Sequence, residues 1–293
     1  MQTGSLATSL RPATAVVAVP AELAQVSPDV RSDAAWFWWV FLETDDLAEL
    51  TPAARRMLAV AAALFLRRGA VATSVRDVAR AAGVSPGALY NHFESKEDVL
   101  YHLVRFGNDR LVRSLDTAIP DAGMPRVRLA AFVTTWVTGH LGHQSLAQLV
   151  RREYIHLTGD RLAQVVAQRR AVRDRLVAIV RDGAEDGSFR LPGHRPDTSS
   201  AGPRPDDDAD PTPVAVMVLD LCLAISDWYD PSRGPDASLL ADLYVTAALR
   251  LLGADDVPAP EPAPEPAAGT TLAVISRLSS PDPVPARLSR GRG

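Results

Sequence analysis

S-V-R-D-V-A-R-A-A-G-V-S-P-G-A-L-Y-N-H-F, residues 74–93, reads as two short helices joined by a sharp turn. Ser74 followed by Asp77 forms a capping box, so the first helix starts at Val75. Val75, Val78, Ala79 and Ala82 recur at three- and four-residue spacing and make one apolar stripe. Gly83 stops that helix, because glycine alone enters the left-handed turn conformation without steric cost, and Val84 plugs the corner. Ser85 caps the second helix, and Pro86 fits its first turn, where a missing N–H costs nothing. Leu89 and Phe93, four apart, face inward, which leaves Gly87, Ala88, Tyr90, Asn91 and His92 on or beside the outer face. A helix presented in this way enters the major groove of DNA. Gly87 and Ala88 allow close approach, Tyr90 and His92 reach phosphate oxygens, and Asn91 offers a donor and an acceptor to a base edge.

The flanks extend the pattern. Thr51-Pro52 caps a preceding helix whose apolar positions include Leu58, Ala62 and Phe65 and which ends at Gly69. Ser95 and Asp98 form another capping box, so a fourth helix begins at Lys96, the only lysine in the chain. The dipole of a helix disfavours a cation in its first turn, so Lys96 points to an anionic partner, a DNA phosphate. The net charge of −4 alone argues against a general nucleic-acid binder. Its distribution does not: residues 51–110 carry nine Arg/Lys against five Asp/Glu, a net +4, and the remainder carries −8.

At these residues the sequence resembles the TetR family of transcriptional regulators. The matching positions are Ala62, Leu64-Phe-Leu66, Gly69, Thr73-Ser-Val75, Asp77-Val-Ala79, Ala82-Gly-Val-Ser-Pro-Gly87, Leu89-Tyr90, His92-Phe93 and Ser95-Lys-Glu97, and the close match covers about residues 51–105. The resemblance implies an all-α homodimer with an N-terminal three-helix helix–turn–helix DNA-binding domain and a larger C-terminal helical domain for ligand binding and dimerisation. Carried over by position, it implies DNA contacts from Ser74, Arg76, Ser85, Gly87, Ala88, Tyr90, Asn91, His92 and Lys96, with Arg76 and Asn91 at or near bases. The family position at Ala88 often carries a larger polar residue, so base reading here leans on fewer side chains. Two recognition helices must lie about 34–36 Å apart to read successive grooves, which implies a dimer on a palindromic operator.

Composition shifts divide the rest. Residues 1–50 read as a largely disordered N-terminal extension, in which Trp36-Phe-Trp-Trp-Val-Phe-Leu42 is too short to cross a bilayer and is either a docking helix or foreign to the natural protein. Residues 51–98 are the DNA-binding domain and 99–253 the ligand-binding and dimerisation domain. Fourteen of the 23 prolines fall in 191–213 and 254–293, read as a Pro/Asp-rich loop (190–213) and a disordered Pro-rich tail (254–293). Helices are expected at Lys96–Thr117, Pro125–Leu141, Gln144–His156, Asp160–Gly183, Pro213–Tyr229 and Asp236–Leu252. Val214–Ile225 is apolar almost all round, as in a helix buried on most sides. The resemblance places the last two helices in a four-helix dimer interface; ordinary core helices are the alternative.

The effector is less legible. Arg151–Leu157, Arg169-Arg170, Arg173, Gly183–Phe189 and Trp228–Pro231 are similar to family members that control lipid and steroid breakdown and sense acyl-CoA thioesters. A CoA ester needs an apolar channel for its acyl part and cations for its phosphates. Arg169 and Arg173 share a helix face suited to those phosphates, and equally suited to solvent. Trp136, Tyr154 and Trp228 either line the pocket or pack in the core. His140 and His143, with His156 and Glu153 in the same region, are the nearest approach to a metal set, but nothing fixes their geometry and no metal or cofactor is assigned.

Gly83-Val-Ser-Pro-Gly87 matches the G-x-S-x-G of a nucleophile elbow, which needs a strand before the serine; a helix precedes it here, so no catalytic residue is assigned. The lone Cys222 excludes an intramolecular disulfide and suits a reducing, cytoplasmic compartment, and no segment suits a membrane span. The expectation is a ligand-responsive DNA-binding regulator, a repressor released by a small apolar or acyl-CoA-type effector. The alternatives are an enzyme acting on a small apolar substrate in the helical domain and a DNA-binding dimer without an effector.

Overall fold

The computed structural model describes residues 18–191, 210–230 and 233–254. The expected Pro/Asp-rich loop, apart from its ends, and the tail beyond residue 254 lie outside these residues. Every regular element among the described residues is helical, as the all-α reading requires.

A single 3₁₀ turn at Ala21–Leu23 leads into α1, Pro28–Leu42. The largely disordered extension expected over residues 1–50 is corrected here for residues 18–50. Val30, Ala34, Phe37 and Phe41 form a buried stripe along α1, with Trp38 beside it. They pack on α2, Pro52–Arg68, whose run Ala59–Ala63 is fully buried and small enough to admit bulky aromatic rings. Burying each such large side chain contributes about 1.5–3 kcal/mol against the entropy of ordering the helix.

The helix–turn–helix follows. Thr51 caps α2 by accepting the Ala54 N–H, and α2 ends at Gly69. In α3, Val75–Ala81, Ser74 and Asp77 make the reciprocal capping box. α4, Pro86–Tyr90, is capped by Ser85 through the Ala88 N–H, and Leu89 and Phe93 are buried as expected. α4 is shorter than the sequence suggests, so Asn91 and His92 lie in the turn beyond it.

α5, Lys96–Ala118, joins two cores. Its Val99, Leu100, Leu103, Val104 and Phe106 belong to the cluster under the DNA-binding helices, and Leu115 to the cluster of the C-terminal body. The body is built from α6 (Pro125–Gly142), α7 (Gln144–Glu153), a 3₁₀ turn (Tyr154–His156), α8 (Gly159–Glu185), α9 (Thr212–Leu223), α10 (Ile225–Trp228) and α11 (Ala237–Leu251). These match the expected helices, except that the last turn of the 144–156 segment tightens to 3₁₀ and 213–229 breaks at Ala224. Cys222 is buried in α9, and burial pushes its thiol up to about 12. No helix among the described residues is long and apolar enough to cross a membrane.

Candidate DNA interface and effector cavity

Most of the expected DNA-contact residues are exposed. Ser74, Arg76, Ser85, Gly87, Tyr90, Asn91 and His92 are exposed, and Ala88 is half-buried. Tyr90 is 54% exposed although it is a large aromatic side chain. A Cβ added at Gly87 would meet only Ser85 Oγ, at 3.9 Å, so nothing inside the protein demands glycine there. The Ser74 and Ser85 hydroxyls accept N–H bonds from Asp77 and Ala88, each at 3.2 Å. Ser85 therefore serves as a helix cap.

Lys96 has partners that the sequence did not reveal. Its Nζ donates to Ala70 O at 2.7 Å and to Val71 O at 3.3 Å. The cation disfavoured by its own helix dipole satisfies carbonyls at the end of α2, where a positive charge is favoured. An anionic partner is thus not needed to explain its position.

The same peptide is held from the other side. Ala70 N–H donates to Glu153 Oε2 at 2.8 Å, and Glu153, at the end of α7, is buried. Two further links tie the start of α5 to the body. Thr158 donates its N–H and hydroxyl to Glu97 Oε1 at 2.6 and 2.9 Å, and Arg161 donates to Asp98 at 2.8 Å and Glu94 at 3.1 Å.

A cavity of about 1140 Å³ lies among α1, α5, α6, α7, α8 and α9. Of the six buried side-chain polar atoms without a hydrogen-bond partner among the described residues, five belong to residues lining it: Asn108 Nδ2, Arg110 Nη1, Trp136 Nε1, Arg151 Nε and Gln168 Oε1. An unpaired buried polar group costs about 1–3 kcal/mol, and the residues that carry these five line one space although each of the five atoms is itself covered.

Histidines shape the wall. His140 stacks on Trp136 and shares a 2.8 Å contact with Trp136 O. His140 lines the cavity, and burial of its ring pushes its pKa down to about 4, so it is neutral. Glu43 Oε2 lies 2.6 Å from Arg110 Nη2 and 2.9 Å from His143 Nε2. Burial alone would raise the Glu43 carboxyl, but the hydrogen bonds and charges of His143 and Arg110 hold it below the usual range.

Of the expected ligand contacts, Trp136, Arg169 and Arg173 line the cavity. Tyr154 and Trp228, read as lining the pocket or packing in the core, are not among its lining residues. Tyr154 lies under the Arg169 guanidinium, 4.4 Å from its ring centroid, and Trp228 is 49% exposed with its ring edge-on to Tyr229. Aromatic residues at helical spacing carried no signal to separate these roles. His140, His143 and Glu153 do not converge, because each is engaged elsewhere. Sequence reasoning missed Asn108, Gln168 and all of α1, whose Trp36, Trp39, Val40, Leu42 and Glu43 form part of the wall.

Residues 57–103 match the family described as bacterial regulatory proteins, tetR family, and residues 122–201 match a tetracyclin repressor-like C-terminal domain. The chain is 32% identical over 147 residues to the HTH-type transcriptional repressor KstR2 of Rhodococcus jostii (strain RHA1), covering 50% of this chain and 72% of that protein. Its fold is similar to the crystal structure of a tetR-family regulatory protein from Rhodococcus RHA1, with a TM-score of 0.60, 26% identity, and 69% of this chain and 97% of that one covered. It is also similar to the structure of the ketosteroid transcriptional regulator KstR2 of Mycobacterium tuberculosis, with a TM-score of 0.56, 26% identity, and coverage of 66% and 91%.

Proposed function

Because the chain belongs to the TetR family of bacterial regulatory proteins, we propose that it acts as a homodimeric repressor, released from a palindromic operator when an apolar or acyl-CoA-type effector fills the cavity. The observation that carries this reading is one large space whose mostly apolar lining includes Asn108, Arg110, Arg151 and Gln168. Amide and guanidinium side chains among apolar walls suit an effector with a bulky apolar body and a head of carbonyl, carboxylate or phosphate oxygens. Arg169 and Arg173 add cations on one side. The relative from M. tuberculosis is described as a ketosteroid transcriptional regulator, and a polycyclic acid or its CoA thioester has both features.

Dimerisation rests on α9 and α11. Met217 and Leu221, and Leu239 and Leu243, are large apolar residues left exposed at four-residue spacing on the two helices. An apolar face of that kind marks an interaction surface, and pairing it with a second copy sets two α4 helices side by side for one operator. Tyr90, His92 and Lys96 serve the phosphates, and Arg76 and Asn91 lie at or near the bases.

The deciding experiment is a mobility shift with the protein's own upstream intergenic DNA, titrated with CoA thioesters of fatty and polycyclic acids. A protected palindrome released about a hundredfold by one of them corresponds to about 2.8 kcal/mol of coupling, within the usual range. A palindrome bound with the same affinity under every thioester would replace this reading with an effector-independent DNA-binding dimer.

A further inference from the structure

The N-terminal helix α1 lies outside both matched regions, 57–103 and 122–201. It nevertheless touches both ends of the regulatory path. At its C-terminal end, Trp36, Trp39, Val40, Leu42 and Glu43 line the cavity. Glu43 orients Arg110 by accepting from Nη2, which leaves the buried Arg110 Nη1 without a partner.

At the other end, the segment entering α1 sits on the turn of the helix–turn–helix. Ser27 N–H donates to Ala81 O at 2.8 Å, and Leu23 and Val26 are fully buried. Gly83, with φ of +70°, is pressed so closely that an added Cβ would lie 2.8 Å from Gln25 O. Arg67 of α2 donates to Asp33 and to Asp29 O, each at 2.5 Å, and so pins the first turns of α1.

We propose that α1 is a working part of the effector site: it closes one side of the cavity and carries occupancy to the turn between α3 and α4. This rests on the reading that the cavity takes an effector, and it names residues and a route beyond that reading. A fifteen-residue helix spans about 22 Å. Its inner stripe is packed throughout, so a guest that presses on Trp36 and Trp39, or draws Arg110 from Glu43, shifts it as a rod. The shift arrives at the Ser27–Ala81 hydrogen bond and the Gln25–Gly83 contact. The guest is an apolar molecule whose acceptor oxygens reach Arg110.

The test uses 1-anilinonaphthalene-8-sulfonate, an apolar ring system bearing one anionic group, and the full chain. Cys222 is buried and its thiol is shifted far up, so an introduced exposed cysteine is the one reactive thiol. Trp39→Cys and Leu42→Cys place it among the residues lining the cavity, and Ser32→Cys places it on exposed α1 surface about two turns earlier, outside that lining. The dye is expected to slow maleimide alkylation of the first two at least fivefold and leave the third unchanged. Gly139→Leu, which puts a bulky side chain at the cavity wall, is expected to weaken that protection. Dye that binds yet leaves the thiols at 39 and 42 equally reactive would overturn the role of α1 and spare the cavity reading. Dye that does not bind would overturn both. For transmission, hydrogen exchange of wild type is expected to change at least threefold at 21–27 and 80–84 when dye is added; unchanged exchange there would overturn that half.

Discussion

Glu153 holds the N–H of Ala70 at 2.8 Å, so the last residue of α7 grips the first turn beyond α2. The carbonyl of the same residue is held by Lys96 at 2.7 Å. Ala70 is therefore fixed between the body and the DNA-binding domain by two charged side chains. Glu153→Ala leaves a buried N–H without an acceptor and should cost about 1–3 kcal/mol, read as a lower denaturation midpoint. Glu153→Gln keeps an acceptor oxygen and should recover most of the loss. Equal losses in the two variants would show that the charge, not the acceptor, matters.

Tyr90 and Lys96 should separate DNA contact from internal structure. Tyr90 is exposed, so Tyr90→Ala should leave the melting temperature unchanged and weaken operator binding by about 1–2 kcal/mol, roughly five- to thirtyfold. Lys96→Ala should lower both, because the Ala70 and Val71 carbonyls lose their donor. Paired thermal melts and mobility shifts distinguish the patterns.

His140 makes stability depend on pH. Its pKa is about 4 in the folded chain and near its ordinary 6.5 when unfolded. The unfolded chain thus binds more protons between those values, and stability falls as pH falls from 6.5 towards 4. Between pH 7 and 5 the loss from this group should be about 2 kcal/mol. Urea unfolding at both pH values should show that loss in wild type and not in His140→Gln.

Gly139 lines the cavity, and nothing stands within 4 Å of a Cβ added there. Gly139→Leu should raise stability by about 0.5–1 kcal/mol through helix propensity alone. It should also abolish release from the operator by any effector while retaining DNA binding. Release that persists in this variant would place the effector elsewhere.

Leu243→Arg puts a charge on the exposed apolar face of α11. The variant should elute as a monomer, with operator affinity reduced at least a hundredfold. A dimer of unchanged size would move the subunit contact to another surface.

The helix–turn–helix was readable because its caps and turns are local: Ser74 and Asp77, Gly83, and Ser85 act on backbone within four residues. The joints were not. Lys96 announced an unusual charge, but its carbonyl partners lie 25 and 26 residues earlier in the chain. Trp36–Leu42 is apolar all round, so its inner face is chosen only by the alanine run of α2 that it meets. Asn108 and Gln168 looked like ordinary polar positions of long helices, and only the packing of α5 beside α8 sets them at the wall of the cavity. Trp228 and Tyr154 illustrate the converse, since an aromatic residue near the right segments need not face the cavity.

A chain with one lysine has one cut site for a lysine-specific endoprotease, and here it is the first residue of α5. Digestion of unfolded chain yields two pieces, 1–96 and 97–293, which divide the DNA-binding helices from the body. In the folded chain that bond is shielded by the helix and by the hold of Lys96 on Ala70 and Val71. The native cleavage rate therefore clocks how often the joint between the DNA-binding helices and the body comes open, without label or mutation.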